Sequence, residues 1–207
     1  NSTDTSPNAI AMTETGVTYV EDTFDDQTHD VMEIAGGSTG IQGVTGAFSQ
    51  ITGGDPRTIF LQYRSPTGEV GRDKAGFCGI GSAAGNFGVF ALEATYNGLR
   101  IHCKGLLQQF YSTAFNDLYD GNVHTIAFTS SSSAIDDVEL YIDDMTTPVT
   151  KASTGGAGSI NTVAGTVQVG WSESISDCVP GRYSNFRVYD SVLSTDELRL
   201  LQIQGLL

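Results

Sequence analysis

A chain of 207 residues, 39% of them hydrophobic, is long enough to bury a two-layer core and suits one large domain. Ten Lys and Arg against 24 Asp and Glu give a formal charge of −14. That charge repels phosphate backbones and anionic lipid, so no nucleic-acid partner is expected, and the lack of any stretch of ~20 apolar residues argues against membrane insertion.

Residues 1–15 are polar and aperiodic and read as a flexible arm, leaving 16–207 as a single domain. The chain starts at Asn1 with no leader-like segment, which reads as a processed form. Alternation begins at Gly16-Val-Thr-Tyr-Val20. Val31-Met-Glu-Ile34, Thr58–Tyr63, Gly76–Gly81, Phe87–Glu93 and Leu99–Cys103 follow as β-type runs. His124–Thr129, Val138–Ile142, Thr166–Val169 and Phe186–Tyr189 complete the series. His29, beside Asp25, Asp26 and Asp30, falls between runs and reads as an exposed loop. Ser130–Ala134 and Ala152–Gly158 are low in complexity and read as exposed loops too. One helix is predicted, at the end. Ser194-Thr-Asp-Glu197 is a capping box, Leu198 and Leu201 supply the apolar side, and Gly205 is placed to stop it. Its leucines are expected on the edge of the sandwich.

Cys78, Cys103 and Cys178 form an odd set, so at least one thiol has no mate within the chain. Cys78 and Cys103 lie two strands apart if their runs form a meander, ~9.5 Å, beyond the ~7 Å that a disulfide closes. Cys178 lies in a loop and could meet either.

Several phrases follow one another in a fixed order. They are Asp120-Gly-Asn-Val-His124, Val138-Glu-Leu-Tyr-Ile-Asp-Asp144, Val167-Gln-Val-Gly-Trp171, Tyr183–Asp190 and Ser191–Leu198. The series resembles the laminin-G-like domains of the concanavalin A-like lectin/glucanase superfamily, over roughly residues 55–204. The resemblance implies an all-β fold: a two-sheet antiparallel jelly-roll sandwich with a short C-terminal helix. Two positions depart from the family pattern. Val123 stands where Trp is common, and Asp144 where a Gly ends the strand-turn; Asp tolerates the left-handed backbone such a turn needs.

Candidate sites are few. On the strand 99–104, Leu99, Ile101 and Cys103 point one way, and Arg100, His102 and Lys104 the other. Those three form either a local positive stripe for an acidic glycan or an outer face paired with carboxylates on a neighbouring strand. Trp171, the only tryptophan, with Tyr183 offers a stacking surface for a sugar ring at the rim, or else closes the end of the core. Laminin-G-like domains often hold one Ca²⁺ at a rim loop, and Asp117, Asp120, Asp136 and Asp137 are the oxygen-rich candidates; such an ion needs six to eight oxygens. Asp137, Glu139, Tyr141 and Asp143 share one strand face, the spacing of glucanase carboxylates, but the flanks match the laminin-G-like strand and no enzyme is expected. His124 takes the family's turn-to-strand position as a structural histidine.

The expected function is a non-catalytic recognition module at the cell exterior or a particle surface, with a glycan or glycoprotein as ligand. The alternatives are a structural subunit of a larger surface assembly (a virion decoration, fibre or cell-surface filament, or a homo-oligomer) and, more remotely, a glycan-active enzyme.

Overall fold

The computed structural model describes residues 11–24, 27–35, 42–66, 75–82, 88–95, 98–103, 107–112, 115–172 and 177–204. Fourteen strands appear in chain order: β1 (Met12–Thr15), β2 (Thr18–Phe24), β3 (Gln27–Ile34), β4 (Gly43–Phe48), β5 (Arg57–Arg64), β6 (Ala75–Gly81) and β7 (Val89–Thr95). There follow β8 (Gly98–His102), β9 (Gln108–Tyr111), β10 (Val123–Ser130), β11 (Val138–Ile142), β12 (Lys151–Gly155), β13 (Gly165–Val169) and β14 (Gly181–Tyr189). The helix α1 (Thr195–Gln204) closes the series.

The strands form two antiparallel sheets. Eight run in the order β1-β4-β13-β6-β7-β8-β9-β12, and six in the order β11-β10-β5-β14-β3-β2. Alternation along each strand sends one set of side chains between the sheets. Ile59, Leu61, Ile126 and Phe128 come from the six-stranded sheet; Ile80, Phe90, Leu92, Leu99 and Ile101 come from the eight-stranded one. The rings of Phe90 and Phe128 meet across the gap at 5.4 Å between centroids. Each such side chain contributes about 1.5–3 kcal/mol by leaving water. The two-sheet all-β class expected from the patterning is the observed one.

The helix α1 packs on part of the outer face of the six-stranded sheet. Leu198 and Leu201 pack on Phe60, Ala127 and Met145, and Phe60 faces Ala127 across the β5–β10 ladder. The helix therefore lies on a sheet face, not on the edge expected for it, because Phe60 and Ala127 break the polar outward set of two central strands. The capping box forms as predicted: Ser194 N–H donates to Glu197 Oε2 at 2.7 Å, and Glu197 N–H donates to Ser194 Oγ at 3.3 Å. Gly205 and residues 1–10 lie outside the described residues.

Four strands were not expected. Residues 12–15, assigned to the arm, form β1 on the edge of the larger sheet. Residues 151–155, assigned mostly to a loop, form β12 on its other edge. The Gly-containing β4 and the short β9 complete the set. His29 lies within β3, not in a loop, opposite Asp22; Asp25 and Asp26 lie outside the described residues. Cys78, Cys103 and Cys178 are all buried and none is in a disulfide, so Cys178 is bridged to neither of the others. Burial pushes the Cys103 thiol up to about 12 and Cys78 higher still, which leaves both as inert core groups.

Candidate functional site

Arg100 and His102 point outward from the eight-stranded sheet while Leu99 and Ile101 enter the core, as the alternation predicts. The stripe is not open positive charge. Register places Glu93 of β7 directly opposite Arg100, and this carboxylate has no exposure. Arg100 Nε donates to Glu93 Oε2 at 2.9 Å and its Nη2 lies 2.8 Å from the same oxygen. His102 Nδ1 sits 3.0 Å from Glu93 Oε2, and Ser172 Oγ donates to Oε1 at 2.8 Å. The Arg100 Nη1 donates to Gln108 Oε1 at 2.9 Å. The anion-binding stripe thus gives way to a carboxylate-centred cluster, because Glu93 cannot stay buried without donors around it. Lys104 lies outside the described residues.

Two small residues make this cluster possible. A side chain at Gly76 would come within 2.4 Å of the Ser172 backbone nitrogen, so Trp171–Ser172 can cross β6 only over a glycine. That crossing carries the Ser172 hydroxyl to Glu93. Beside the cluster, β8–β9 register sets Phe110 against Arg100 and Gln108 against His102. Phe110 and Gln108 are partly exposed, and 15% of the Arg100 side chain is accessible. A guanidinium fixed in a plane, an amide and an aromatic ring form one row at the surface.

The rim pair proposed from sequence comes apart. Trp171 is partly buried and packs on the core, with its Cδ1 occupying space that a side chain at Gly43 would enter at 2.9 Å. Tyr183 is only 3% exposed, faces inward opposite Tyr63, and its hydroxyl donates to the Val179 carbonyl at 2.6 Å. It is a core residue and offers no stacking surface, because β14 keeps its inward alternation as far as Tyr183. Burial pushes its hydroxyl well above the usual phenol range.

The four acidic candidates for Ca²⁺ do not converge either. Asp120 sits before β10, whereas Asp136 and Asp137 lie in the loop after it, so the eight-residue strand holds them roughly 23 Å apart. Asp120 accepts from Asn122, and its Oδ1 lies 3.0 Å from His124 Nε2. Asp136 accepts from Thr154 at 2.8 Å, and Asp137 from Ser132 at 2.6 Å. Asp117 is exposed in a 3-10 turn at Phe115–Leu118. Among the described residues no three His, Cys, Asp or Glu side chains gather as a metal site. A Ca²⁺ ion would need a ligand set other than these four aspartates together, and a melt with excess chelator tests for one. A fall that added Ca²⁺ reverses would place a cation on this chain after all.

On the β11 side, the spaced carboxylates serve separate partners. Glu139 pairs with Lys151 at 3.1 Å, and Asp143 Oδ2 lies 2.8 Å from His124 Nδ1. The left-handed residue of the strand-turn is Asp143, with φ 60°, rather than Asp144. The His124 cluster brings the Asp120–His124 and Val138–Asp144 phrases together in space.

No family model and no curated protein matches this chain. Solved structures do, at low identity. Domain 4 of AbnA, a GH43 extracellular arabinanase from Geobacillus stearothermophilus, in complex with arabinotriose, has a TM-score of 0.62 at 12% identity. The match covers 94% of this chain and 88% of that domain. The binding domain of Paraclostridial Mosquitocidal Protein 1 has a TM-score of 0.64 at 14% identity, and that of botulinum neurotoxin serotype G the same values. This chain is covered to 97% and 98% and spans about half of each toxin domain, 48%. These likenesses define a two-sheet β-sandwich. Among the described residues no helix is long and apolar enough to cross a membrane.

Sequence reasoning missed Glu93 and Ser172 in the cluster and Phe110 beside it. Glu93 was legible as the end of a strand run, but the register that sets it opposite Arg100 was not.

Proposed function

We propose that this chain is a non-catalytic recognition module of laminin-G-like type that binds carbohydrate at an exterior surface. The likeness to an arabinanase domain solved with arabinotriose carries the reading, because it runs nearly the full length of both domains. The contact of the Asp120–His124 phrase with Asp143 supports the laminin-G-like assignment, and the extracellular origin of that arabinanase supports the location.

The Arg100–Gln108–Phe110 row is the contact surface that the geometry favours. Glu93 offsets the Arg100 charge, so recognition depends on the ring of Phe110 and on hydrogen bonds rather than on bulk charge. A neutral glycan fits such a surface better than a sulfated one. Screening a glycan array and then titrating an arabino-oligosaccharide tests this. Arg100→Ala and Phe110→Ala are each expected to weaken binding about tenfold, the equivalent of ~1.4 kcal/mol, with little change between low and high salt. Undiminished binding in both variants would move the site elsewhere. Polysaccharide turnover that disappears on Glu139→Gln would make the chain an enzyme.

A further inference from the structure

Beside the helix end, the outer face of the six-stranded sheet carries a recess of about 300 Å³. Thr28 and His29 of β3, Gln62 of β5, Ser184 and Asn185 of β14, and Gln204 of α1 line it. A bulge builds its wall. β14 pairs Ser184 with Gln62 and next Arg187 with Phe60, so Asn185 and Phe186 stand opposite the single residue Leu61. Strand alternation would send Ser184 and Asn185 to opposite faces. The bulge, with Asn185 at φ 50°, turns both toward the recess. A left-handed non-glycine residue is a strained conformation of the kind that collects at binding sites.

Hydrogen bonds fix the orientation of these groups. His29 Nε2 and Ser184 Oγ are 2.8 Å apart. Arg187 Nε donates to Asn185 Oδ1 at 2.8 Å. An arginine only donates, so the amide oxygen faces it and the NH₂ turns away. That nitrogen is buried and has no hydrogen-bond partner among the described residues. A donor is therefore left over in the wall of the recess.

Among the described residues no Lys, Arg, Asp or Glu lines the recess, although the chain carries a formal −14. The Arg187 guanidinium is engaged with Asn185 Oδ1, and an anion would meet a repelling field outside. A metal ion would find no carboxylate among the described lining residues. An apolar ligand would bury amides and hydroxyls without partners. Groups that both donate and accept match a ligand whose hydroxyls do the same. We infer that this recess is a second binding site, for one uncharged sugar residue, on the outer face of the six-stranded sheet. It stands on its own walls and does not depend on the Arg100 row, which belongs to the other sheet.

Backbone amide NMR of the whole chain tests it, with methyl α-L-arabinofuranoside, methyl β-D-galactopyranoside and methyl α-D-glucopyranoside as probes and sodium glucuronate as the charged control. At least one neutral glycoside is expected to shift His29, Ser184 and Asn185, with a dissociation constant on the order of millimolar. Glucuronate is expected to bind more weakly. Ser184→Ala removes the hydroxyl without adding bulk, and Asn185→Gly keeps the left-handed backbone while removing the amide. Each is expected to weaken binding about tenfold, whereas Arg100→Ala leaves these shifts unchanged. Silence of the three amides at about 100 mM of every neutral probe overturns the inference. So does equal response to glucuronate, or parental affinity in both folded variants. If arabino-oligosaccharide binding persists and depends on Arg100 while the recess stays silent, the second site fails and the proposed function stands. Arabino-oligosaccharide binding lost in Ser184→Ala and kept in Arg100→Ala would instead leave the recess as the module's principal site.

Discussion

Arg57→Ala is expected to lower folding stability by about 3–5 kcal/mol, the largest effect of any single substitution considered for this chain. Arg57 opens β5 and has no exposure at all. Its described hydrogen bonds go to two carbonyls and a hydroxyl, none of them a carboxylate. Its Nε donates to the Asp55 carbonyl at 2.7 Å, its Nη2 to the Gly53 carbonyl at 2.9 Å, and its Nη1 to Thr162 Oγ1. The guanidinium also lies over the Phe90 ring, 5.2 Å from its centroid. Burial pulls its pKa down to about 10, with the Asp55 charge among the influences that oppose the shift. The side chain thereby ties the 53–55 turn and the Thr162 segment to the ring that joins the two sheets. Truncation removes the donor that reaches the buried Thr162 hydroxyl and opens a cavity beside Phe90, and both penalties act together. Arg57→Met separates them, since it refills the volume without restoring the donors. Urea unfolding should place Met between Ala and the parent, because a well-packed apolar replacement often matches a buried charge. A loss under about 1 kcal/mol for Ala would show that the loops hold without this tie.

Several of the strands legible in the sequence lie inside a sheet. β5, β7 and β10 place large apolar residues at every second position, because one face of each meets the other sheet. The missed strands have weaker signals for physical reasons. β4 holds two glycines, at Gly43 and Gly46, and β1 and β12 are sheet edges with mostly exposed side chains. Edge strands need no apolar alternation, so composition presents them as loops.

Site residues were less legible, since alternation gives a face and not a neighbour. The outward direction of Arg100 and His102 followed from the strand pattern, but the charge of that surface depends on Glu93, which only the β7–β8 register supplies. Tyr183 and Trp171 looked adjacent by their place near strand ends, yet the register of β14 with β5 turns Tyr183 inward against Tyr63. The recess at Asn185 was hidden for a related reason. A bulge is an insertion relative to a partner strand, so nothing in Ser184-Asn-Phe-Arg187 announces it without that partner. The separation of Asp120 from Asp136 and Asp137 was closer to hand. A hairpin between the 124–129 and 138–142 runs already places the loop carboxylates at the far end from Asp120.

Stability is expected to fall as pH rises from neutral toward the alkaline side, with His124 as a principal cause. Burial alone would lower its pKa. Hydrogen bonds and charge from Asp143, then from Asp120, outweigh burial and raise it above the ordinary 6.5. Both ring nitrogens face carboxylate oxygens, at 2.8 Å to Asp143 and 3.0 Å to Asp120. Asp143 also accepts the Thr125 N–H at 2.9 Å, and its carbonyl accepts from Gln202 of α1 at 2.8 Å. The imidazolium therefore joins β10, the β11 turn and the helix. The folded state binds this proton more tightly than the unfolded chain does. The gain is complete below about pH 6.5 and is lost as pH rises through the higher folded value. Asp120 acts in the opposite sense at the acid end. Burial opposes the shift, but Asn122 and His124 hold its pKa below the usual 3.8, so its contribution disappears only as pH falls through that lowered value. The two aspartates are about half exposed, at 44% and 51%, so water screens the pairs. The whole effect should accordingly lie near ~1–2 kcal/mol. Melting temperatures between about pH 5 and 9, for the parent and His124→Gln, isolate it from His29 and His102, which both chains share. The parent should lose its advantage over the variant across the alkaline half of that window. Two melting curves that stay parallel throughout would remove His124 as the source.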